Sequence, residues 1–145
     1  MTAETITGTK AASTAQARSG IDLTCNWEKI TISSAIEAGD KWELFKLPKG
    51  ATPVFAWIQA TDLDTHATPT LTFDLGYSED TDTLIDGATT GQAAIGFAGS
   101  FPNLLTAFGT ALTAEKTVVL EAKTGPATGA SSGTIFVCVF YSLNQ

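Results

Sequence analysis

The stretch TLTFDLGY, residues 70–77, alternates apolar and polar side chains more cleanly than any other part of the chain. Successive side chains of a strand point to opposite faces, so this pattern predicts a strand with one face in a hydrophobic core. The apolar residues on that face are Leu71, Phe73, Leu75 and Tyr77. Thr70, Thr72 and Asp74 share the other face, which we expect to lie in water.

Other stretches show period-two patterns or apolar runs between turn residues. They are residues 29–33, 42–48, 54–61, 117–123 and 133–143. The last, GTIFVCVFYSL, is apolar on both faces, which is typical of a strand in the centre of a structure or against another chain. Strands separated by turn signals, without alternating helices, predict an all-β domain built as a sandwich or barrel.

Three other segments are less regular. Residues 87–103 and 123–133 are rich in glycine and are predicted to be loops. Residues 104–116 are predicted to form two short strands with a turn at Gly109, although the spacing of their apolar residues leaves a helix open.

Apart from Met1, the first twenty residues contain one large apolar side chain, Ile6, and they cannot bury enough surface to fold alone. We therefore predict an extended N-terminal arm over residues 1–20, followed by a single domain over residues 21–145. The arm packs either on its own domain or on a neighbouring subunit, and the sequence leaves both open.

Charge and composition exclude several classes of partner. The 145-residue chain has a formal charge of −7 and no run of basic residues, which disfavours nucleic acid and anionic membranes. No signal peptide opens the chain, and its apolar runs are too short to span a membrane. Cys25 and Cys138 lack metal-site spacing, so we expect synthesis in a cytoplasm with both thiols reduced, and a disulfide is the alternative.

The acidic run within residues 71–87 is the main candidate for chemistry. It lacks the central glycine and terminal glutamate of an EF-hand loop, so it predicts an exposed turn and leaves only an irregular calcium site open. In that turn Asp80 or Thr81 is expected to cap one helical turn over Asp82–Ile85. His66, the only histidine, is expected in a solvated loop, and no nucleophile, metal site or cofactor motif accompanies it. The chain is therefore not expected to be an enzyme.

The three tryptophans are predicted to have different surroundings, according to the residues next to them in the sequence. Trp27 and Trp42 adjoin charged residues and are predicted to be partly exposed, at a subunit interface or as a platform for sugar. Trp57 lies in a strongly apolar strand and is predicted to pack in the core.

Four short motifs carry a family resemblance. KLPKGA precedes an apolar strand, LGY ends the strand at residue 77, DTDTLIDG follows, and GTIFVCVFY begins at Gly133. With these motifs the chain resembles capsid decoration, or cement, proteins of tailed bacteriophages, which have a jelly-roll-like fold. The matching positions are Leu47, Pro48, Gly50, Ala51, Leu75, Gly76, Tyr77, Asp80, Asp82, Leu84, Gly87, Gly133, Ile135, Val137, Val139 and Tyr141.

The resemblance implies a jelly-roll-like β-sandwich located on the capsid surface of a virion. Such a protein does no chemistry; it binds the major capsid protein and copies of itself, often as a homotrimer, and bridges capsid subunits. The candidate partner-binding residues are Ile6, Lys10 and Arg18 in the arm, with Trp27 and Trp42. Two alternatives stay open: a minor tail or neck protein of the virion, and a carbohydrate- or calcium-dependent adhesion module.

Overall fold

The computed structural model describes residues 4–6, 21–93, 96–100 and 110–144, and these residues form nine β-strands. The strands are β1 (Glu4–Ile6), β2 (Ile21–Ile32), β3 (Lys41–Leu47), β4 (Ala51–Ala60), β5 (Thr72–Tyr77), β6 (Asp80–Ala88), β7 (Gly96–Ser100), β8 (Lys116–Thr124) and β9 (Gly133–Asn144). The pairings between them are antiparallel. Within these ranges no helix is long and apolar enough to cross a membrane.

The strands form two sheets, which we call the first and the second sheet. The first has the order β1-β2-β9-β4-β7, and the second has the order β3-β8-β5-β6. From β2 onward, each connection crosses between the sheets except the hairpin between β5 and β6. This is the strand order of a jelly roll, with β1 added at one edge. The predicted all-β, jelly-roll-like β-sandwich is therefore confirmed.

The core lies between the two sheets and follows the predicted alternation. Leu71, Phe73 and Leu75 are fully buried, and Tyr77 is 5% exposed. On β9, the side chains of Ile135, Val137, Val139 and Tyr141 enter the same core. The last strand lies between β2 and β4, which places its two-sided apolar sequence in the centre of the first sheet.

The expectation that Asp74 lies in water is wrong. The Asp74 side chain is fully buried, and one carboxylate oxygen accepts a hydrogen bond of 2.8 Å from the Gly87 backbone N–H. The other carboxylate oxygen lies 3.6 Å from Lys123 Nζ. The backbone hydrogen bond and the nearby lysine offset the cost of removing this carboxylate from water.

The helical turn predicted over Asp82–Ile85 is also wrong, because these residues lie in β6. Tyr77 pairs with Asp80 across a two-residue turn, so β6 folds straight back onto β5. Three register pairs, with irregularities between them, hold β6 against β5 and give this segment an extended backbone in place of a helical turn. The close return depends on Gly76, since a Cβ there would come within 2.7 Å of the Thr81 carbonyl carbon.

Six predicted strands are present as β2, β3, β4, β5, β8 and β9. Five have ends within three residues of the prediction, whereas β2 begins at Ile21, eight residues before the predicted start. The loop prediction for residues 87–103 missed β7 at Gly96–Ser100. Of the two strands predicted in residues 104–116, the first lies outside the described residues. Residues 110–115, where the second was expected, form no strand.

The predicted arm is described only at Glu4–Ile6, which pairs with Leu23–Cys25 of β2. This short strand adds to the edge of the chain's own first sheet. The other residues of the 1–20 segment lie outside the described residues, so the division into arm and domain stays a prediction.

Candidate functional site

The first sheet carries aromatic rings on the face turned away from the core. In β4, Ala56 and Ile58 are fully buried in the core, so the alternating Trp57 points to the other side. Trp57 and Cys138 are register partners, as are Trp27 and Cys138, which places both tryptophans beside β9 on this face. We call this surface the aromatic face; its rings are Trp27, Phe55, Trp57, Phe136 and Phe140.

The rings contact one another across the strands. The ring centroids of Trp27 and Phe136 lie 4.9 Å apart, and those of Trp57 and Phe136 lie 5.1 Å apart. Phe55 and Phe140 are 6.2 Å apart. These separations lie in the range of favourable aromatic pairs. The rings form two contacting groups on one half-buried apolar face, Trp27–Phe136–Trp57 and Phe55–Phe140.

Two cysteines lie on the same face. Cys25 on β2 and Cys138 on β9 form a disulfide, with a Cα–Cα distance of 6.6 Å. The expectation of two reduced thiols is wrong, because the long antiparallel pairing of β2 with β9 brings together residues 113 positions apart in sequence. Sequence spacing alone could not show this proximity.

The outward face of the second sheet has the opposite chemistry. Lys41 on β3 and Asp74 on β5 are both register partners of Glu121 on β8, which forms a row of charged residues across the sheet. Lys41 Nζ lies 3.7 Å from the Glu121 carboxylate, and the Thr81 hydroxyl donates a hydrogen bond to the same carboxylate. On this face Lys41 and Lys123 are exposed, whereas the carboxylates of Glu121 and Asp74 beside them are largely covered. The sandwich therefore presents one aromatic face and one face whose exposed side chains include charged residues, which we call the charged face.

The acidic run lies along β6 at the edge of the second sheet. Asp80, Asp82 and Asp86 are exposed, and charged residues on an edge strand discourage unwanted strand pairing with other chains. A hydrogen bond that protonated Asp82 donates to the Asp80 carboxylate, together with the negative charge of Asp80, raises the pKa of Asp82. Among the described residues, no three acidic, histidine or cysteine side chains are grouped closely enough to hold a metal ion.

A buried carboxylate, Asp64, joins its own β4–β5 loop to the β8–β9 loop at one end of the sandwich. One oxygen accepts hydrogen bonds from the N–H groups of Thr70 at 2.7 Å, Leu71 at 3.1 Å and Ala127 at 2.9 Å. The other oxygen accepts from Thr128 at 2.9 Å and, at a longer 3.4 Å, from His66.

Burial alone would raise the pKa of Asp64, but the backbone hydrogen bonds outweigh it and hold that pKa well below its usual range. His66 itself is exposed in the loop, as the sequence predicted. The arrangement is a structural anchor without a nucleophile, so it gives no basis for a catalytic mechanism.

Three of the five residues predicted to bind partners are described, and they lie on three different strands. Trp27 lies on the aromatic face, whereas Trp42 is half-buried on β3 and packs against the core beside a polar groove of about 280 Å³. Ile6 belongs to β1, while Lys10 and Arg18 lie outside the described residues. The two tryptophans belong to different sheets, so they do not form the shared platform considered for sugar.

Sequence reasoning missed most of the aromatic face. Trp57 was expected in the core and is instead turned away from it, with its ring against Phe136. Phe136 and Phe140 were visible only as part of a strand with two apolar faces. That pattern did indicate a second apolar contact beyond the core, and the register with β2 and β4 shows which rings make it.

Known capsid structures share this fold. A chain in the capsid of Ralstonia phage GP4 is 33% identical, with a TM-score of 0.73 and 86% of each chain covered. A chain in the capsid asymmetric unit of cyanophage Pam1 is 24% identical, with a TM-score of 0.72 and 86% of each chain covered. A chain in the acid-stable capsid of Helicobacter pylori bacteriophage KHP30 is 18% identical, with a TM-score of 0.55, and 83% of this chain and 94% of that chain are covered. No protein-family model and no curated protein matches the sequence.

The fold and the two contrasting faces define a structural jelly-roll protein. The 33% identity over 86% of both chains also shows the family to which the protein belongs. The chain belongs to a family of bacteriophage capsid proteins that includes this component of the Ralstonia phage GP4 capsid, and it is a structural protein of the virion.

Proposed function

We propose that this protein is a decoration protein that binds the outside of the phage shell and bridges neighbouring copies of the major capsid protein. The observation that carries the proposal is the contrast between the two outward faces of the sandwich. An aromatic surface is suited to burial against another protein, and a charged surface is suited to water. In this arrangement the aromatic face contacts the shell and the charged face is exposed to solvent.

Bridging would stabilise the shell by mass action, because the protein binds the assembled form and not the separated subunits. Many copies acting on one particle give a large total effect even when each contact is weak.

We propose that the protein acts as a homotrimer and contributes structure without catalysis. Light scattering of the purified chain measures the oligomeric state, and a monomer at micromolar concentration would contradict the trimer.

The test is binding of the purified protein to particles of its own phage that lack it. Replacement of Trp27 by alanine removes a ring from the aromatic face, and we expect at least about tenfold weaker binding, as for an interface anchor. Lys41→Ala is the matched control, since it removes an exposed side chain from the charged face. Thermal unfolding of each variant separates loss of binding from loss of fold.

Two outcomes would overturn the proposal. One is wild-type protein that does not bind the particles, and the other is Trp27→Ala and Lys41→Ala with equal effects on binding.

A minor tail or neck protein is the second candidate within the virion. It predicts a few copies per particle, whereas a decoration protein predicts copy numbers comparable to those of the shell subunits, so quantitative electrophoresis of purified virions distinguishes them.

A further inference from the structure

A pocket of about 210 Å³ lies at the end of the second sheet, away from the aromatic face. Its walls come from Tyr77 and Thr83 on the β5–β6 hairpin and from residues 110–113, with Lys116 at its edge. We call it the Tyr77 pocket. Carbon atoms provide most of its lining, so water inside it would find few hydrogen-bond partners.

The walls of this pocket are held in place. Leu112 donates a backbone hydrogen bond of 2.8 Å to the Ala51 carbonyl, and the Gly50 N–H donates one of 2.8 Å to the Leu112 carbonyl. Lys116 forms an ion pair with Glu79 of the hairpin turn. The pocket is therefore part of the fold, with its one basic side chain already neutralised, and this favours an uncharged occupant.

A buried polar group marks the pocket. Tyr77 is 5% exposed, and its hydroxyl is buried without a hydrogen-bond partner. A buried tyrosine hydroxyl normally finds a partner, because an unpaired one costs the free energy of its lost hydration. Burial also raises the pKa of Tyr77 to about 12, so the group keeps its proton and can donate.

We propose that the Tyr77 pocket receives one aliphatic side chain of the shell protein, and that the Tyr77 hydroxyl donates a hydrogen bond to a carbonyl oxygen beside that side chain. The proposal rests on the proposed function and adds a second contact, distinct from the aromatic face, as bridging requires. The volume is below the roughly 300–1,000 Å³ of sites for drug-sized ligands, and side chains that anchor interfaces commonly fill small pockets. Because the hydroxyl is covered in the free protein, the proposal requires the exposed residues Thr110 and Thr113 to shift when the occupant enters.

The discriminating variant is Tyr77→Phe, because it has opposite effects on folding and on binding. Loss of an unpaired buried hydroxyl leaves the free protein as stable as wild type or more stable. Binding to decoration-free particles weakens about 5- to 20-fold, as for one buried hydrogen bond. Tyr141→Phe is the matched control: Tyr141 is equally buried, and its hydroxyl bonds to Asn26. It should lower stability and leave binding unchanged.

A second pair of measurements separates this inference from the proposed function. Ala111 is exposed at the pocket, so Ala111→Trp fills it without disturbing the core, and we expect binding to particles to be lost. If the wild-type protein binds particles and Tyr77→Phe binds them with unchanged affinity, the proposed role of the Tyr77 pocket is refuted and the proposed function still holds.

If wild type does not bind particles, the proposed function fails and the pocket is decided by a small probe. N-isobutylacetamide combines an aliphatic group with an amide carbonyl, and its titration is followed by NMR. Saturable shifts at Leu112 and Thr83 that disappear in Ala111→Trp support the pocket. Absence of shifts, or shifts that persist in the filled variant, overturns it.

Discussion

Replacement of Asp64 by asparagine should destabilise the protein strongly, because this side chain accepts five backbone hydrogen bonds from two loops. An amide has one oxygen, so one of the two carboxylate positions becomes an NH₂ group that faces N–H donors. In the better orientation the amide oxygen keeps Thr70, Leu71 and Ala127, and the bonds from Thr128 and His66 are lost.

A hydrogen bond to a charged group contributes about 1.5–3 kcal/mol, so loss of two gives roughly 3–6 kcal/mol. The lower end applies, since His66 and Thr128 are exposed and water can reach their N–H groups. We therefore expect a loss of about 3 kcal/mol in the free energy of unfolding, which lowers Tm by roughly 10 °C in a domain of this size.

Urea unfolding followed by tryptophan fluorescence measures this difference. Asp62→Asn is the matched control two residues away, since the Asp62 side chain accepts only one described hydrogen bond, from the Asp64 N–H at 3.2 Å. We expect the control to lose less than about 1 kcal/mol, the usual net value of a single exposed hydrogen bond. An Asp64→Asn variant as stable as the control would refute the role assigned to this carboxylate.

The pH dependence gives a second readout of the same group. The backbone donors hold the folded-state pKa of Asp64 below 3.8, the ordinary value for an aspartate and the one expected in the unfolded chain. Above that value the carboxylate is charged in both states, and its contribution to stability is fully present. Below it the unfolded chain binds a proton that the folded chain does not, so stability falls with pH. Asp64→Asn should flatten this part of the stability curve, and an unchanged slope below about pH 4 would contradict the assignment.

Three further predictions follow from other parts of the fold. Gly76→Ala should cost about 1–3 kcal/mol by forcing a Cβ against the backbone of Thr81, whereas Ser78→Ala in the exposed turn should cost little; equal Tm values for the two would contradict the close return of β6. Denatured, unreduced protein should show no free thiol in a colorimetric assay, and two reactive thiols would disprove the Cys25–Cys138 disulfide. Serine at both cysteines should lower stability by about 2–5 kcal/mol through loss of a long covalent loop, measured by urea unfolding without reductant.

Alternation in the sequence was enough to predict the core of β5 and the presence of six strands, because period two depends only on local geometry. It did not show what covers the opposite face of a strand. Asp74 was predicted to be exposed, but it is buried with its carboxylate beside Lys123 and Gly87. Trp57 was predicted to pack in the core, but it lies on the outward face. Both errors have the same cause. Burial on the outward face of a strand depends on the neighbouring strands, and the sequence of one strand does not show which strands those are.

The anchor at Asp64 was missed for a related reason. Two of its donors, Ala127 and Thr128, are more than sixty residues away in the chain and reach it only once the fold is formed. The acidic run was misread as a capped helical turn, since local capping signals took no account of hairpin pairing with β5. The motifs that resemble decoration proteins did lead to the correct fold and to a phage virion.

The most direct test of the proposed function is a cryo-EM reconstruction of virions of the phage that encodes this chain. The account predicts jelly-roll density at symmetric positions on the outer surface of the shell, with the aromatic face against capsid subunits and the charged face toward solvent. Density for this chain confined to the tail or neck, or bound to the shell through the Glu121 face with Trp27 exposed, would contradict it.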